Sequence, residues 1–119
     1  MKTINATQLK QRLDRGDKLF LVEALPRKYY EAGHLPGALH LPLVDLRTRA
    51  PRLLPNNNAE IIVYCASPTC ENSHLAAREL EGLGYTDVTV FAGGKEEWKA
   101  HGYPLTSVEA PAPVACACA

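Results

Sequence analysis

The sequence carries no excess charge of either sign and no long apolar run. Thirteen Lys and Arg balance thirteen Asp and Glu among 119 residues, for a formal net charge of +0. Such a chain has no long-range field to gather nucleic acid or an anionic membrane surface, so neither partner class is favoured. No stretch approaches the roughly 20 apolar residues that span a bilayer, and Met1-Lys2-Thr3-Ile4-Asn5-Ala6 lacks the apolar core of a signal peptide. A cytoplasmic protein with no membrane association is expected. Internal repeats are also missing. The one biased segment, the Ala/Pro-rich run from Ala110 to Ala119, has no apolar periodicity, so residues 107–119 are expected to form a mobile tail behind a domain spanning 1–106.

The residues present, 46% of them hydrophobic, suffice for one compact domain with one core and are too few for two. The four cysteines, Cys65, Cys70, Cys116 and Cys118, could form two disulfides. Without an export signal a reducing compartment is expected, where cysteines are more often chemical than structural.

Three nearly continuous apolar runs, Leu19 to Val22, Ile61 to Tyr64 and Val88 to Phe91, suit a parallel sheet covered on both faces. Leu39-His40-Leu41 adds a short strand. Leu9 and Leu13 give a first amphipathic helix, with Thr7 as the expected cap and an end near Gly16. Ala76, Leu80 and Leu83 share one face of a helix over 73–84, where Gly84 can end it. Leu43, Leu46 and Ala50 have helical spacing, which Pro51 is expected to disrupt. A last short helix runs from Gly94 to His101 with Trp98 as its apolar anchor. Alternating strands and helices indicate an open α/β sheet, whose sites lie at the carboxyl ends of its strands.

Cys65 closes the central apolar run and opens the segment Cys65-Ala66-Ser67-Pro68-Thr69-Cys70-Glu71-Asn72, which leads into a helix. A loop of this kind can aim backbone N–H groups inward, and the helix amino terminus adds positive potential, so a thiolate or persulfide would be stabilised there. The Cys65 pKa is accordingly expected to fall below its reference of about 8.5. From spacing alone, a small buried apolar residue at a strand end explains Cys65 equally well.

Flanking motifs separate the two readings. Tyr30-x-x-Gly33-His34-Leu35-Pro36-Gly37-Ala38, the Tyr64-Cys65 loop and Phe91-x-Gly93-Gly94-x-x-x-Trp98 resemble the rhodanese family in content, order and separation, over roughly Thr3 to Leu105. Physically, Gly33 and Gly37 permit tight turns around Pro36, His34 can bond local backbone, and Gly93-Gly94 lets the chain approach the neighbouring loop closely. The resemblance implies a three-layer α/β domain with about five parallel strands and helices on both faces. It implies a sulfurtransferase in which Cys65 carries a sulfane sulfur as a persulfide, with Ala66 to Asn72 as the surrounding loop and no metal or organic cofactor. The partners implied are a small-molecule or protein sulfur donor and a thiol, or cyanide, as acceptor. Oligomeric state is not legible.

The loop departs from the family pattern. Where family members place a basic residue, commonly arginine, stands Cys70 or, counting back from Ser73, Asn72. Glu71 adds negative charge, so thiosulfate is expected to be a poor donor. Similarly, Glu23 keeps an expected acid while Leu25 replaces the base two residues on. Cys70 could resolve a Cys65 persulfide or be a spare loop cysteine, and Cys116 with Cys118 could be a mobile acceptor dithiol or incidental. His74 could orient a donor or simply be an exposed helical histidine. Other readings are a catalytically silent module that binds a protein partner, an oxyanion reductase or phosphatase, which would also need an arginine, and a zinc site drawn from the four cysteines, whose spacing does not suit it.

Overall fold

A computed structural model describes residues 2–106. Met1 and residues 107–119, with the expected tail and the Cys116 and Cys118 pair, lie outside the described residues. Five strands form one wholly parallel sheet: β1 (Lys2–Thr3), β2 (Phe20–Glu23), β3 (Leu39–His40), β4 (Ile61–Tyr64) and β5 (Val88–Phe91), in the order β1-β5-β4-β2-β3. The three apolar runs occupy its middle, with Val22 opposite Val63 and Val63 opposite Val90.

Alternation along the strands divides the interior in two. Val22, Ile61, Val63, Val88 and Val90 pack against α3 (Leu46–Leu53) and α4 (Asn72–Gly82). Leu21, Ile62, Tyr64 and Phe91 face α1 (Ala6–Asp14) and α5 (Gly94–Ala100). The helices supply matching apolar positions, Leu46, Ala50, Ala76, Ala77 and Leu80 on one face, and Ala6, Leu9 and Trp98 on the other. Trp98 lies edge-on to Phe91 and Tyr103, and its indole N–H donates to the Pro104 carbonyl at 2.8 Å.

Several local expectations are corrected. Asn5, not Thr7, caps α1: its Oδ1 accepts from the Gln8 amide at 2.8 Å while the Gln8 side chain accepts from the Asn5 amide at 3.1 Å, a reciprocal pair that Thr7 cannot form. Pro51 does not disrupt α3, which continues to Leu53. It sits near the end of the helix, where it removes one backbone bond, while Leu46, Ala50 and Leu54 hold the segment by burial. Gly33 is extended at φ 169 and makes no left-handed turn; its Cβ would meet Leu105 at 3.3 Å. Two elements had no sequence signal. Strand β1 is two exposed residues at the sheet edge, and α2 (Arg27–Ala32) buries no side chain fully.

The order of strands creates the site. From β2 the chain moves outward to β3, whereas from β4 it moves the other way, to β5. A crevice therefore opens above the carboxyl ends of β2 and β4, the usual place for a site in an open α/β sheet. Among the described residues no helix is long and apolar enough to cross a membrane.

Candidate active site

Cys65 follows the last residue of β4 and is fully buried at this crevice. Its thiol lies 3.3 Å from the Cys70 carbonyl and 3.4 Å from Ser73 Oγ in the first turn of α4. Two segments fix the loop beyond it. At the front, the amides of Lys95 and Glu96 donate to the carbonyls of Cys65 at 3.0 Å and Ala66 at 2.9 Å. At the back, the Asn72 side-chain amide donates to the Ala24 carbonyl at 3.1 Å, tying the start of α4 to the end of β2.

Gly94 makes the front clamp possible. Its φ is +62, and a Cβ there would lie 2.4 Å from the Cys65 carbonyl oxygen. No side chain fits that space, and the left-handed backbone also favours glycine. Gly93 plays a different part, since its Cβ would strike Glu97, whose carboxylate accepts from the Ala6 amide at 2.7 Å.

Between the clamps the loop turns back on itself. The Cys70 amide donates to the Ser67 carbonyl at 3.1 Å, and the hydroxyls of Ser67 and Thr69 are 3.1 Å apart. Ala66, Pro68, Thr69 and Glu71 are exposed at the rim, while Ser67, Cys70 and Asn72 are half-buried. The turn brings Cys70 against Cys65, with the Cys70 carbonyl 3.3 Å from Cys65 Sγ, and the ionisation of each thiol depends on the other.

The electrostatics reverse the expectation for Cys65. Burial pushes its thiol up, and the hydrogen bond to Cys70 adds to this; the Ser73 hydroxyl and amide pull the other way without prevailing. At Cys70 burial also opposes ionisation, but the Cys65 thiol and the backbone of Ala66 and Asn72 outweigh it and hold the thiol below its ordinary value. The stabilising amides are present as expected, yet two of them serve Cys70. Folding the loop inward puts the second sulfur among them.

Beneath the loop lies a polar network. Glu23 is fully buried at the end of β2 and accepts from the Tyr64 hydroxyl at 2.7 Å; that hydroxyl in turn accepts from the Leu35 amide at 3.0 Å. Lys95 approaches Glu23 Oε2 at 2.9 Å and donates to the Tyr29 carbonyl at 2.7 Å. Glu23 Oε2 has no donor aligned as a full hydrogen bond, so this contact is an ion pair above all. Lys95 thus takes the place of the base absent at Leu25. Sequence spacing carries no sign of this, because the partner comes from the first turn of α5, far along the chain from β2. His34 is structural, its Nδ1 2.8 Å from the Tyr30 carbonyl and its ring stacked on Tyr30 at 3.9 Å. His40 Nε2 lies 2.8 Å from the Leu25 carbonyl, and His74 is half-buried in the first turn of α4. Among the described residues, no group of three or more His, Cys, Asp or Glu could hold a metal ion.

A family model, the rhodanese-like domain, matches residues 5–101. The chain belongs to the rhodanese-like domain family. A putative sulfur carrier protein, YrkF of Bacillus subtilis, is 32% identical over 95 residues, which are 80% of this chain and 49% of that protein. The chain thus spans about half the length of that relative. A protein of Allochromatium vinosum named simply sulfurtransferase is 28% identical, with 89% of this chain and 95% of that one covered. A crystal structure of the Alr3790 protein from Anabaena sp. superposes with a TM-score of 0.81 at 32% identity, covering 88% of this chain and 92% of that one. The rhodanese-like architecture of five parallel strands with helices on both faces is shared with these structures.

Proposed function

We propose that the protein is a sulfurtransferase in which Cys65 takes a sulfane sulfur from a donor, holds it as a persulfide and yields it to a thiol acceptor, with cyanide as an alternative. The observation that carries this reading is the position of Cys65: a buried thiol at the crevice above β4 and β2, next to Ser73 Oγ, in a loop held by the amides of Lys95 and Glu96. In the first half-reaction the Cys65 thiolate attacks the transferable sulfur of the donor; the bond from that sulfur to the rest of the donor breaks, S–S in polysulfide or thiosulfate and C–S in mercaptopyruvate, and the remainder leaves as a thiolate, sulfite or pyruvate enolate. In the second, an acceptor thiolate attacks the outer sulfur and Cys65 leaves as the thiolate. The Ser73 hydroxyl and amide favour that anion. The sulfur-carrier and sulfurtransferase names of relatives agree with this chemistry.

Donor choice follows from charge. Residues 66–72 contain no Lys or Arg, and the nearby Lys95 ammonium is engaged by Glu23 and the Tyr29 carbonyl. Polysulfide or a thiol-borne sulfur therefore suits the site better than thiosulfate, and an oxyanion reductase or phosphatase would lack its anion clamp. The test is to incubate reduced protein with thiosulfate, polysulfide or mercaptopyruvate and read its intact mass. Gain of one sulfur atom that Cys65→Ser abolishes is the expected result. A folded protein that no donor loads would replace this reading with a catalytically silent partner-binding module, for which the exposed Val44 and Leu75 offer a surface.

A further inference from the structure

We infer that Cys70 is a second reacting thiol of this site, which attacks the inner sulfur of the Cys65 persulfide, closes a Cys65–Cys70 disulfide and releases the carried sulfur as hydrosulfide. The inference rests on the Cys65 persulfide proposed above and adds an outcome to it: reductive release of sulfide in place of transfer to an outside acceptor.

Three observations support it. The first is proximity. The turn from Ser67 to Cys70 places the Cys70 carbonyl 3.3 Å from Cys65 Sγ, so the second cysteine sits directly against the first within one short loop. The second is the environment of Cys70. It is half-buried beside a fully buried Cys65, and the backbone of Ala66 and Asn72 bonds its sulfur and favours the thiolate that must attack. The third is the absence of a cation in 66–72, with Glu71 close by. Such a loop favours the protonated persulfide, and that form can expel hydrosulfide.

The step balances. Cys70 thiolate forms the new S–S bond to Cys65 Sγ, the bond from that sulfur to the outer sulfur breaks, and the outer sulfur leaves as HS⁻ with the persulfide proton. The sulfane sulfur is reduced, and the two cysteines are oxidised to one disulfide. A dithiol reductant from outside the chain then reopens the disulfide by thiol–disulfide exchange and resets both thiols.

The test uses the full chain with Cys116→Ser and Cys118→Ser, so that the other two thiols cannot intervene. Reduced protein is loaded with inorganic polysulfide under argon and desalted. Released sulfide is then followed alongside intact mass and the cysteine linkage in peptides. The chain with both Cys65 and Cys70 is expected to release one hydrosulfide, end two hydrogens lighter and yield a Cys65–Cys70 peptide. Cys70→Ser is expected to keep its extra sulfur, with release slowed roughly tenfold or more. Cys70→Ala serves as a second variant, and circular dichroism verifies that both fold. Equal sulfide release with and without Cys70, or a persulfide that persists unchanged beside an intact Cys70, would overturn the inference while leaving Cys65 transfer standing. If Cys70→Ser and Cys70→Ala fold but gain no sulfur from any donor, the sulfurtransferase reading fails and this inference with it.

Discussion

Gly94→Ala is the most direct probe of how the fold holds the candidate active site, because its cost has two separable parts. A left-handed backbone costs a non-glycine residue about 1–2 kcal/mol, and at φ +62 Gly94 requires it. The second part is contact: the new Cβ would lie 2.4 Å from the Cys65 carbonyl oxygen and 2.9 Å from both Ala66 C and Ser67 N. These are backbone atoms, which cannot swing aside as a flexible side chain can, and overpacking of this kind adds about 1–3 kcal/mol. Loss of unfolded-state freedom returns about 0.4–1 kcal/mol. Gly37 isolates the first part, since it has φ +81 and nothing within 4 Å of its would-be Cβ. Gly37→Ala should therefore cost about 1 kcal/mol or less, and Gly94→Ala about 2–4 kcal/mol. In thermal unfolding that is a fall of a few degrees against one of about 10–20 °C. Because Gly94→Ala displaces the loop itself, it should also slow loading of Cys65 by polysulfide in the fraction that stays folded, whereas Gly37→Ala should not. Equal melting temperatures for the two variants, with equal loading, would refute the claim that loop position depends on the approach of Gly94.

Three further predictions concern charge. Lys95→Met leaves the fully buried Glu23 without its counter-ion and should destabilise the protein by about 3–5 kcal/mol in denaturant unfolding; adding Glu23→Gln should recover most of that, and a cost under about 1 kcal/mol for Lys95→Met alone would show the pair to be unimportant. Alkylation by iodoacetamide, read at each cysteine, should rise with pH earlier at Cys70 than at Cys65, since the thiolate is the nucleophile and the Cys70 thiol is held below the ordinary thiol value while burial pushes the Cys65 thiol above it; the reverse order would contradict this electrostatic account. Cys70→Arg should abolish sulfide release and improve thiosulfate use about tenfold to a hundredfold, because one charge-assisted bond contributes about 1.5–3 kcal/mol; unchanged kcat/KM for thiosulfate in a folded variant that polysulfide still loads would count against the charge argument.

How much of this was legible depended on whether the cause was local. The runs at 61–64 and 88–91 become strands with those limits, since a parallel sheet buried on both faces leaves an apolar signature on each strand. The Leu80 face of α4, the Trp98 anchor and the address of Cys65 follow from short-range pattern in the same way. Strand β1 leaves no apolar signature because Lys2 and Thr3 are held by pairing with Thr89 and Val90 and not by burial. The cap of α1 is ambiguous in sequence because Asn5 and Thr7 are both good cap residues, and only the reciprocal bond with Gln8 distinguishes them. In the site, the Cys65 pKa is the quantity that short-range pattern does not determine. Backbone amides at a strand-to-helix turn are a sequence-level expectation, but which sulfur receives them depends on how the turn from Ser67 to Cys70 closes.

That turn links the missing loop cation to the second thiol. A loop with arginine at the position of Cys70 would bring a fixed positive charge to the mouth of the site, to bind an anionic donor and to favour the persulfide anion. Here the same place holds a thiol that draws on the amides of Ala66 and Asn72, while the nearby ammonium of Lys95 is turned beneath the loop to Glu23. A site without the cation would have lower affinity for thiosulfate and, by the same electrostatics, would make the proposed Cys65 persulfide easier to protonate and so easier to cleave. A nucleophile beside it completes the means of cleavage. On the reading proposed above, the missing cation and the presence of Cys70 act in one direction, away from an anion-binding sulfur donor site and toward a dithiol that would turn sulfane sulfur into sulfide.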